Sequence, residues 1–222
     1  MNLTLGMDTS CGNTVLGLAE GGRPIFEGQY DLGRTQAAQL PRLVRQTLQT
    51  FQRPLESLET LAVTVGPGAY TGLRIGVAYG TALADALGIR VVPLCTLEVL
   101  AQEIPFPDAT VAAFLKARKG HLYGALYRRE DKCLSILTPP RFVSEQEFLE
   151  TLKDLPPGFL VGPSLADETF ARNFSWRHLL RTCPRGSLLA LWGEEAAPKA
   201  LNPSEVRIDY LREPDFGPKG CF

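Results

Sequence analysis

The sequence predicts an α/β protein of two lobes, for two reasons. In its first half, short apolar runs that suit buried strands alternate with segments whose apolar residues recur at helical spacing. In its second half, weaker patterns of both kinds follow Ile104–Asp108, a stretch with two prolines that suits a linker. The 222 residues are enough for one large domain or two small lobes. We therefore expect residues 1–107 to form the first lobe, and residues 108–222 a smaller, degenerate lobe with an extended tail.

The first half begins with three strands joined by turns that contain glycine, which predicts an antiparallel meander. These strands are Leu3–Thr9, Thr14–Glu20 and Ile25–Tyr30. Helices and strands then alternate, which implies crossovers onto the same sheet. They are helix Gln36–Phe51, strand Leu61–Val65, helix Thr71–Leu87, strand Ile89–Pro93 and helix Thr96–Glu103. The order βββαβαβα is that of the ribonuclease-H-like half of the actin, Hsp70 and sugar-kinase superfamily.

The second half shows fewer recognisable elements and no internal sequence repeat, so we expect its lobe to be reduced. Its predicted strands are Thr110–Leu115, Leu122–Arg128, Cys133–Leu137 and Phe159–Val161. Its predicted helices are Ser144–Lys153, Leu165–Asn173 and Ser187–Ala197. Ser144, followed three residues later by Glu147, has the spacing of a capping box.

Composition favours a soluble, cytoplasmic protein. Hydrophobic residues make up 45% and charged residues 21%, and the net charge of −1 gives no general attraction to nucleic acid or anionic membranes. No apolar stretch approaches the roughly 18 residues of a membrane span. The N-terminus lacks the basic region of a signal peptide and reaches Asp8 within a strand pattern.

Cysteine and histidine usage predicts neither disulfides nor a metal site. The five cysteines are odd in number and scattered, without a C-x-x-C pair. The two histidines, His121 and His178, are too far apart for H-E-x-x-H or H-x-x-x-H.

A glycine-rich loop, residues 66–72 (Gly-Pro-Gly-Ala-Tyr-Thr-Gly), lies between a strand and a helix. Such a loop can direct backbone N–H groups at a phosphate. However, it has neither the lysine of a Walker A motif nor the spacing G-x-G-x-x-G. The alternative is a tight turn in which Pro67 sets the bend, Gly68 adopts a positive φ and Thr71 caps the helix.

The helix after this loop carries small residues every fourth position: Gly72, Gly76, Gly80 and Ala84. An interior glycine costs about 1 kcal/mol of helix stability relative to alanine, so close packing has to offset it. The packing partner is either this chain's own sheet or first helix, or a second protein. In the second case, helices 36–51 and 71–87 would present a joint surface and build a four-helix bundle with a partner. The candidate partner-binding residues are Leu40, Leu43, Val44, Thr47, Leu48, Leu73, Gly76, Val77, Gly80 and Ala84.

Two other places are candidates for anion binding. Asp8-Thr9-Ser10 ends the first strand, where actin-like ATPases place an aspartate that handles metal and phosphate. A residual nucleotide contact would use Asp8, Ser10, Gly12, Gly66 and Gly68. Alternatively, Asp8 caps the following turn. The basic turn Lys116–Lys119 is either a solvated hairpin tip or a contact for RNA or phosphate.

Several motifs together resemble the TsaB (YeaZ) family of tRNA threonylcarbamoyladenosine biosynthesis proteins, which are glycoprotease-like. The most specific motif is residues 66–76, Gly-Pro-Gly-Ala-Tyr-Thr-Gly-Leu-Arg-Ile-Gly. The others, in family order, are Asp8-Thr9-Ser10, residues 92–97 (Val-Pro-Leu-Cys-Thr-Leu), residues 117–123 (Ala-Arg-Lys-Gly-His-Leu-Tyr) and Tyr210-Leu211-Arg212. The related TsaD family shares the N-terminal block but has an H-x-x-x-H metal site that this chain cannot form.

The resemblance implies an actin-like ATPase fold and a scaffold role. TsaB proteins bind TsaD through their first two helices and, with the ATPase TsaE, support threonylcarbamoyl transfer to the adenosine beside the tRNA anticodon. We therefore expect that this chain is not an enzyme by itself. It meets tRNA only indirectly, forms a homodimer when alone, and binds no cofactor alone, with ATP or ADP at the TsaD interface left open.

Two positions depart from the family pattern: Gln36 stands where histidine is common, and Lys116 replaces an acidic residue. Two other functions stay as alternatives. One is a small actin-fold ATPase or kinase, which would need a second phosphate-binding loop after Pro107. The other is a metallopeptidase, which the two distant histidines disfavour.

Overall fold

The computed structural model describes residues 2–131, 133–164 and 176–212, which form two five-stranded sheets. The first sheet contains β1 (Leu3–Asp8), β2 (Thr14–Glu20), β3 (Arg23–Tyr30), β4 (Leu58–Gly66) and β5 (Arg90–Cys95). The second contains β6 (Ala109–Lys116), β7 (His121–Glu130), β8 (Cys133–Ser144), β9 (Phe159–Gly162) and β10 (Arg177–Leu180). The α-helices are α1 (Gln36–Thr50), α2 (Tyr70–Leu87), α3 (Thr96–Gln102), α4 (Glu145–Lys153) and α5 (Gly186–Glu195).

The two sheets share one topology. Their strand orders are β3-β2-β1-β4-β5 and β8-β7-β6-β9-β10. In each, an antiparallel meander is extended beside its first strand by two parallel strands. The meander and the βββαβαβα order predicted for the first half are confirmed. The second half repeats this strand order without a sequence repeat, and its described outer helix, α4, has nine residues against 15 in α1.

The helices form layers around the sheets. α1 and α2 cover the outer face of the first sheet, and α4 covers the far face of the second. α3 and α5 lie between the sheets, each against the sheet of the other half of the chain. α5 contacts the first sheet so closely that a Cβ on Gly17 would overlap the carbonyl of Gly186. The helix predicted at Ser187–Ala197 therefore packs against the first sheet.

Two strands of the second sheet differ from the sequence prediction. β8 continues through Pro139-Pro140, which is tolerated because β8 is an edge strand and need not use every N–H group. β10 was outside the predicted strands because its four residues, beginning Arg177-His178, show no apolar pattern. The helix predicted at Leu165–Asn173 lies outside the described residues.

The predicted cap of α4 is confirmed. The Ser144 hydroxyl accepts a hydrogen bond from the Glu147 backbone N–H at 3.1 Å.

Candidate partner-binding surface

The loop that leads into α2 is a tight turn, but its residues play other parts than predicted. The positive φ is at Gly66 (136°) and not at Gly68. No side chain caps α2; the Ala69 N–H instead donates to the Ser10 carbonyl at 2.7 Å. Gly68 lies against the side chain of Ser10, where a Cβ would collide. The prediction of Thr71 as the cap is wrong, because the helix already begins at Tyr70.

Helix α2 packs so closely that its glycines contact the end of β1. A Cβ on Gly72 would overlap the Thr9 carbonyl oxygen, and one on Gly76 would overlap the Thr9 hydroxyl. That hydroxyl donates to the Gly72 carbonyl at 2.7 Å. The room is larger at Gly80, where a Cβ would lie 3.1 Å from Leu61 Cδ2. The small-residue stripe therefore serves packing within the chain.

The structure places the predicted partner-binding residues on the inward face of the helix pair. Leu43 is half-buried. The other nine are buried in this chain: Leu40, Val44, Thr47, Leu48, Leu73, Gly76, Val77, Gly80 and Ala84. An amphipathic helix on a sheet turns its apolar stripe to that sheet, so these residues supply the core and not an exposed surface.

The outward side of the helix pair has a shallow groove lined by Ala37 of α1 and by Tyr70, Thr71, Arg74, Ile75, Ala78 and Tyr79 of α2. Thr71, Ile75, Ala78 and Ala82 follow one another at helical spacing along α2, and Ala78 and Ala82 are exposed. Tyr79 and, from α1, Ala37 form the walls, and the groove has a volume of about 510 Å³. Exposed alanines at this spacing let another helix backbone approach closely. The spacing of these small residues in the sequence is the signal that could have identified the exposed face of α2.

The charges around this groove are mostly positive. α1 contains Arg42 and Arg45, both exposed, and no acidic residue. α2 contributes Arg74 at the groove itself, and Asp85 is the only acid of the two helices. The surface therefore suits a partner whose docking helices carry acidic side chains at their rim.

A cleft of about 460 Å³ lies between the two lobes, beside residues 67–70 of the glycine loop. It is lined by both lobes and by the C-terminal segment: Ser10, Gly12 and Gly68 from the first lobe, Lys116 and Tyr123 from the second, and Asp209, Tyr210 and Arg212 from the segment. Three of the five candidate nucleotide-contact residues thus reach the cleft. Gly66 is instead covered by the Asp209 carbonyl.

Asp8 is held away from solvent by its own turn. Its Oδ1 accepts hydrogen bonds from the Ser10 N–H (3.2 Å), the Ser10 hydroxyl (2.6 Å) and the Thr64 hydroxyl. Burial raises the pKa of this carboxyl, against these hydrogen bonds, which lower it. Oδ2 has no hydrogen-bond partner among the described residues. The carboxyl therefore acts as a turn cap, the alternative that the sequence left open.

Comparisons with known proteins identify the family. A family model described as TsaD, tRNA N6-adenosine threonylcarbamoyltransferase, matches residues 32–176. The tRNA threonylcarbamoyladenosine biosynthesis protein TsaB of Bacillus subtilis is 32% identical over 164 residues, which are 71% of each chain. The chain belongs to the TsaB (YeaZ) family.

Two further comparisons concern the fold and the sequence of part of the chain. YeaZ from Pseudomonas aeruginosa is similar in structure with a TM-score of 0.76 at 23% identity, covering 95% of this chain and 100% of that one. A tRNA N6-adenosine threonylcarbamoyltransferase of Desulfovibrio desulfuricans is 30% identical over 145 residues, which are 58% of this chain and 40% of that protein. The expected actin-like ATPase fold is confirmed.

In this TsaB-family chain, both departures from the family pattern have defined surroundings. Gln36 is buried, and its amide Nε2 donates to the Thr14 hydroxyl at 3.0 Å, so it joins α1 to β2. Lys116 is exposed at the cleft. Gln36 therefore makes an internal contact, and Lys116 places a positive charge at the cleft.

The sequence predicts no role for the C-terminal segment, residues 206–212. Its Asp209 N–H donates to the Val65 carbonyl at 2.8 Å. The ring of Tyr210 stacks on Tyr70 with centroids 4.7 Å apart, and its hydroxyl accepts from Arg74 Nε at 3.1 Å. This TsaB-family motif thus fastens the segment to the start of α2.

The described residues contain no group of three or more histidine, cysteine, aspartate or glutamate side chains that could hold a metal ion. In the same part of the chain, none of the helices has the length and apolar character to cross a membrane.

Proposed function

We propose that this chain is a non-catalytic partner of a TsaD-type protein in the synthesis of threonylcarbamoyladenosine in tRNA, acting together with a TsaE-type ATPase. The observation that carries the proposal is the outward groove of α1 and α2, which the exposed Ala78 lines, with Ala82 exposed further along α2. Membership of the TsaB family supplies the pathway, because the Bacillus subtilis relative is described as a biosynthesis protein for this modification.

The surroundings of two side chains, Asp8 and Cys11, support a role without catalysis. Burial raises the pKa of the Asp8 carboxyl, and the hydroxyls of Ser10 and Thr64 already occupy its Oδ1. Burial also raises the pKa of the Cys11 thiol well above its usual range, which disfavours the thiolate needed for nucleophilic attack. The Asp8 carboxyl is thus engaged within its own turn, and the Cys11 thiol is not activated as a nucleophile. A nucleotide at the interface with the partner stays part of this proposal.

The groove is suited to helices from a partner. Two helices docked along α1 and α2 would complete a four-helix bundle, in which small residues allow close backbone approach. Without the partner, two copies of this chain would use the same groove, because an isologous contact of one patch with itself gives a two-fold dimer. The TsaD-type partner would then compete with the homodimer.

A bulky side chain in the groove tests the proposal. Ala78→Trp should abolish binding of the cognate TsaD-type protein in isothermal titration calorimetry, because the ring fills the space for the partner helix. Gln146→Trp, at an exposed position of α4 in the other lobe, is the matched control and should bind like wild type. Equal affinity of both variants would contradict the proposal, as would ATP turnover by the isolated chain, which would favour a small ATPase or kinase.

A further inference from the structure

The β6–β7 hairpin and the neighbouring part of β8 carry a row of aromatic rings that leads to the cleft. The rings of His121 and Phe142 are stacked, with centroids 5.0 Å apart and planes 7° from parallel. Tyr123 continues the row at 5.8 Å from Phe142 and lines the cleft. The row follows from strand geometry, because residues two apart on β7 share a face and Phe142 pairs with Tyr123 across the ladder.

Cations surround this row. The guanidinium carbons of Arg118 and Arg212 lie over the Phe142 ring at 5.4 and 5.5 Å from its centroid. Lys116 and Lys119 are exposed in the same hairpin. Within the described residues, no carboxylate lies within ion-pair distance of Lys116, Arg118 or Lys119.

The backbone of the hairpin tip has a defined shape. The His121 N–H donates to the Arg118 carbonyl at 2.9 Å, and Gly120 turns the chain with a φ of 72°. The Glu145 N–H donates to the Gly120 carbonyl at 3.0 Å, which joins the tip to the start of α4. The cations thus project from an anchored turn and not from a loose loop.

From this arrangement we infer that residues 116–123 and Phe142 form a contact surface for single-stranded RNA, namely the anticodon loop of the tRNA substrate. Proteins bind single strands by stacking bases on aromatic rings and by placing cations along the phosphates. An acidic protein would satisfy the cations but would not need the stacked His121–Phe142 pair with Tyr123 beside it. The inference rests on the proposed function for the identity of the RNA, and it makes the contact of this chain with tRNA direct.

Charge reversal at the tip tests the surface. Arg118→Glu/Lys119→Glu is compared with Arg177→Glu/Lys199→Glu, which makes the same charge change at exposed positions on β10 and beside β5. Fluorescence anisotropy with labelled, unmodified tRNA is measured at several salt concentrations, for the chain alone and for its complex with the TsaD-type partner. Calorimetry measures the affinity for the partner in parallel.

We expect the tip variant to bind tRNA about tenfold more weakly, because two charge-assisted phosphate contacts are lost. The slope of log K against log salt should fall by about 1.4, since each phosphate contact on a single strand contributes about 0.7. The control variant should bind like wild type. Phe142→Leu should weaken RNA binding without changing the salt slope, which separates stacking from charge.

Two results would overturn the inference. One is tRNA binding by the tip variant that equals the control. The other is a loss of partner affinity with tRNA binding intact, which would assign the surface to an acidic protein. If no complex with the partner forms at all, the proposed function fails, and the measurement on the chain alone still decides the RNA surface.

Discussion

Alanine at Gly72 should destabilise the fold far more than alanine at Gly80, although both lie on the same stripe of α2. A Cβ on Gly72 would overlap the Thr9 carbonyl oxygen and lie 2.9 Å from its carbonyl carbon, so the main chain has to move. A Cβ on Gly80 meets Leu61 Cδ2 at 3.1 Å and Met7 Sδ at 3.7 Å, and these flexible side-chain ends can shift.

The magnitudes follow from two opposing effects. Overpacking costs about 1–3 kcal/mol, and replacing an interior helix glycine by alanine gains about 1 kcal/mol. Gly72 lies in the first helical turn, where the gain is smaller, so Gly72→Ala should lower the free energy of unfolding by about 2 kcal/mol. In a chain of this size, that loss lowers Tm by roughly 4–8 °C. Gly80→Ala should stay within about 1 kcal/mol of wild type.

Urea unfolding followed by circular dichroism measures both variants. Gly80→Ala should also leave the affinity for a TsaD-type partner unchanged, because Gly80 faces the sheet. Equal stability of the two variants would refute the packing argument. A loss of partner affinity in a stable Gly80→Ala variant would show that the small-residue stripe of α2 takes part in partner binding.

Three further results are expected. Because burial raises the pKa of Asp8, its contribution to stability is full below pH 3.8 and is lost as pH rises through the raised pKa. Asp8→Asn should thus gain stability relative to wild type as the pH rises above 3.8 in urea unfolding, and parallel pH profiles would contradict this. Tyr210→Ala should remove a ring pair worth about 1 kcal/mol and speed hydrogen exchange at residues 206–212. Tyr210→Phe is the control, because it should keep the stack on Tyr70. Equal exchange in both variants would show that the stack does not hold the segment. Ser144→Ala should cost about 1 kcal/mol of stability through the lost cap, and an unchanged urea midpoint would contradict a contribution from it.

Much of the first half could be predicted from the sequence, because strand and helix periods are local properties. The meander, the alternation after Tyr30 and the helix pair all follow from spacing. The second sheet was harder, since β10 has only four residues and β8 runs through two prolines. The position of α5 on the first sheet depends on Gly17 meeting Gly186, a contact between residues far apart in sequence.

The choice of helix face was the main limit on the site prediction. Small residues suit both a tight internal contact and an exposed docking face, and sequence does not separate the two. On α2, Gly76 and Gly80 face the sheet, whereas Ala78, between them, is exposed. The C-terminal segment could not be placed either, because Tyr210 finds its partner Arg74 136 residues earlier in the chain.

The most direct test of the account is tRNA modification in a reconstituted system. A TsaD-type protein, a TsaE-type ATPase, threonylcarbamoyl adenylate and unmodified tRNA are combined with increasing amounts of this chain. We predict that wild type and Gln146→Trp restore threonylcarbamoyladenosine, that Ala78→Trp does not, and that the chain alone modifies nothing. Full modification without the chain, or with Ala78→Trp, would contradict it.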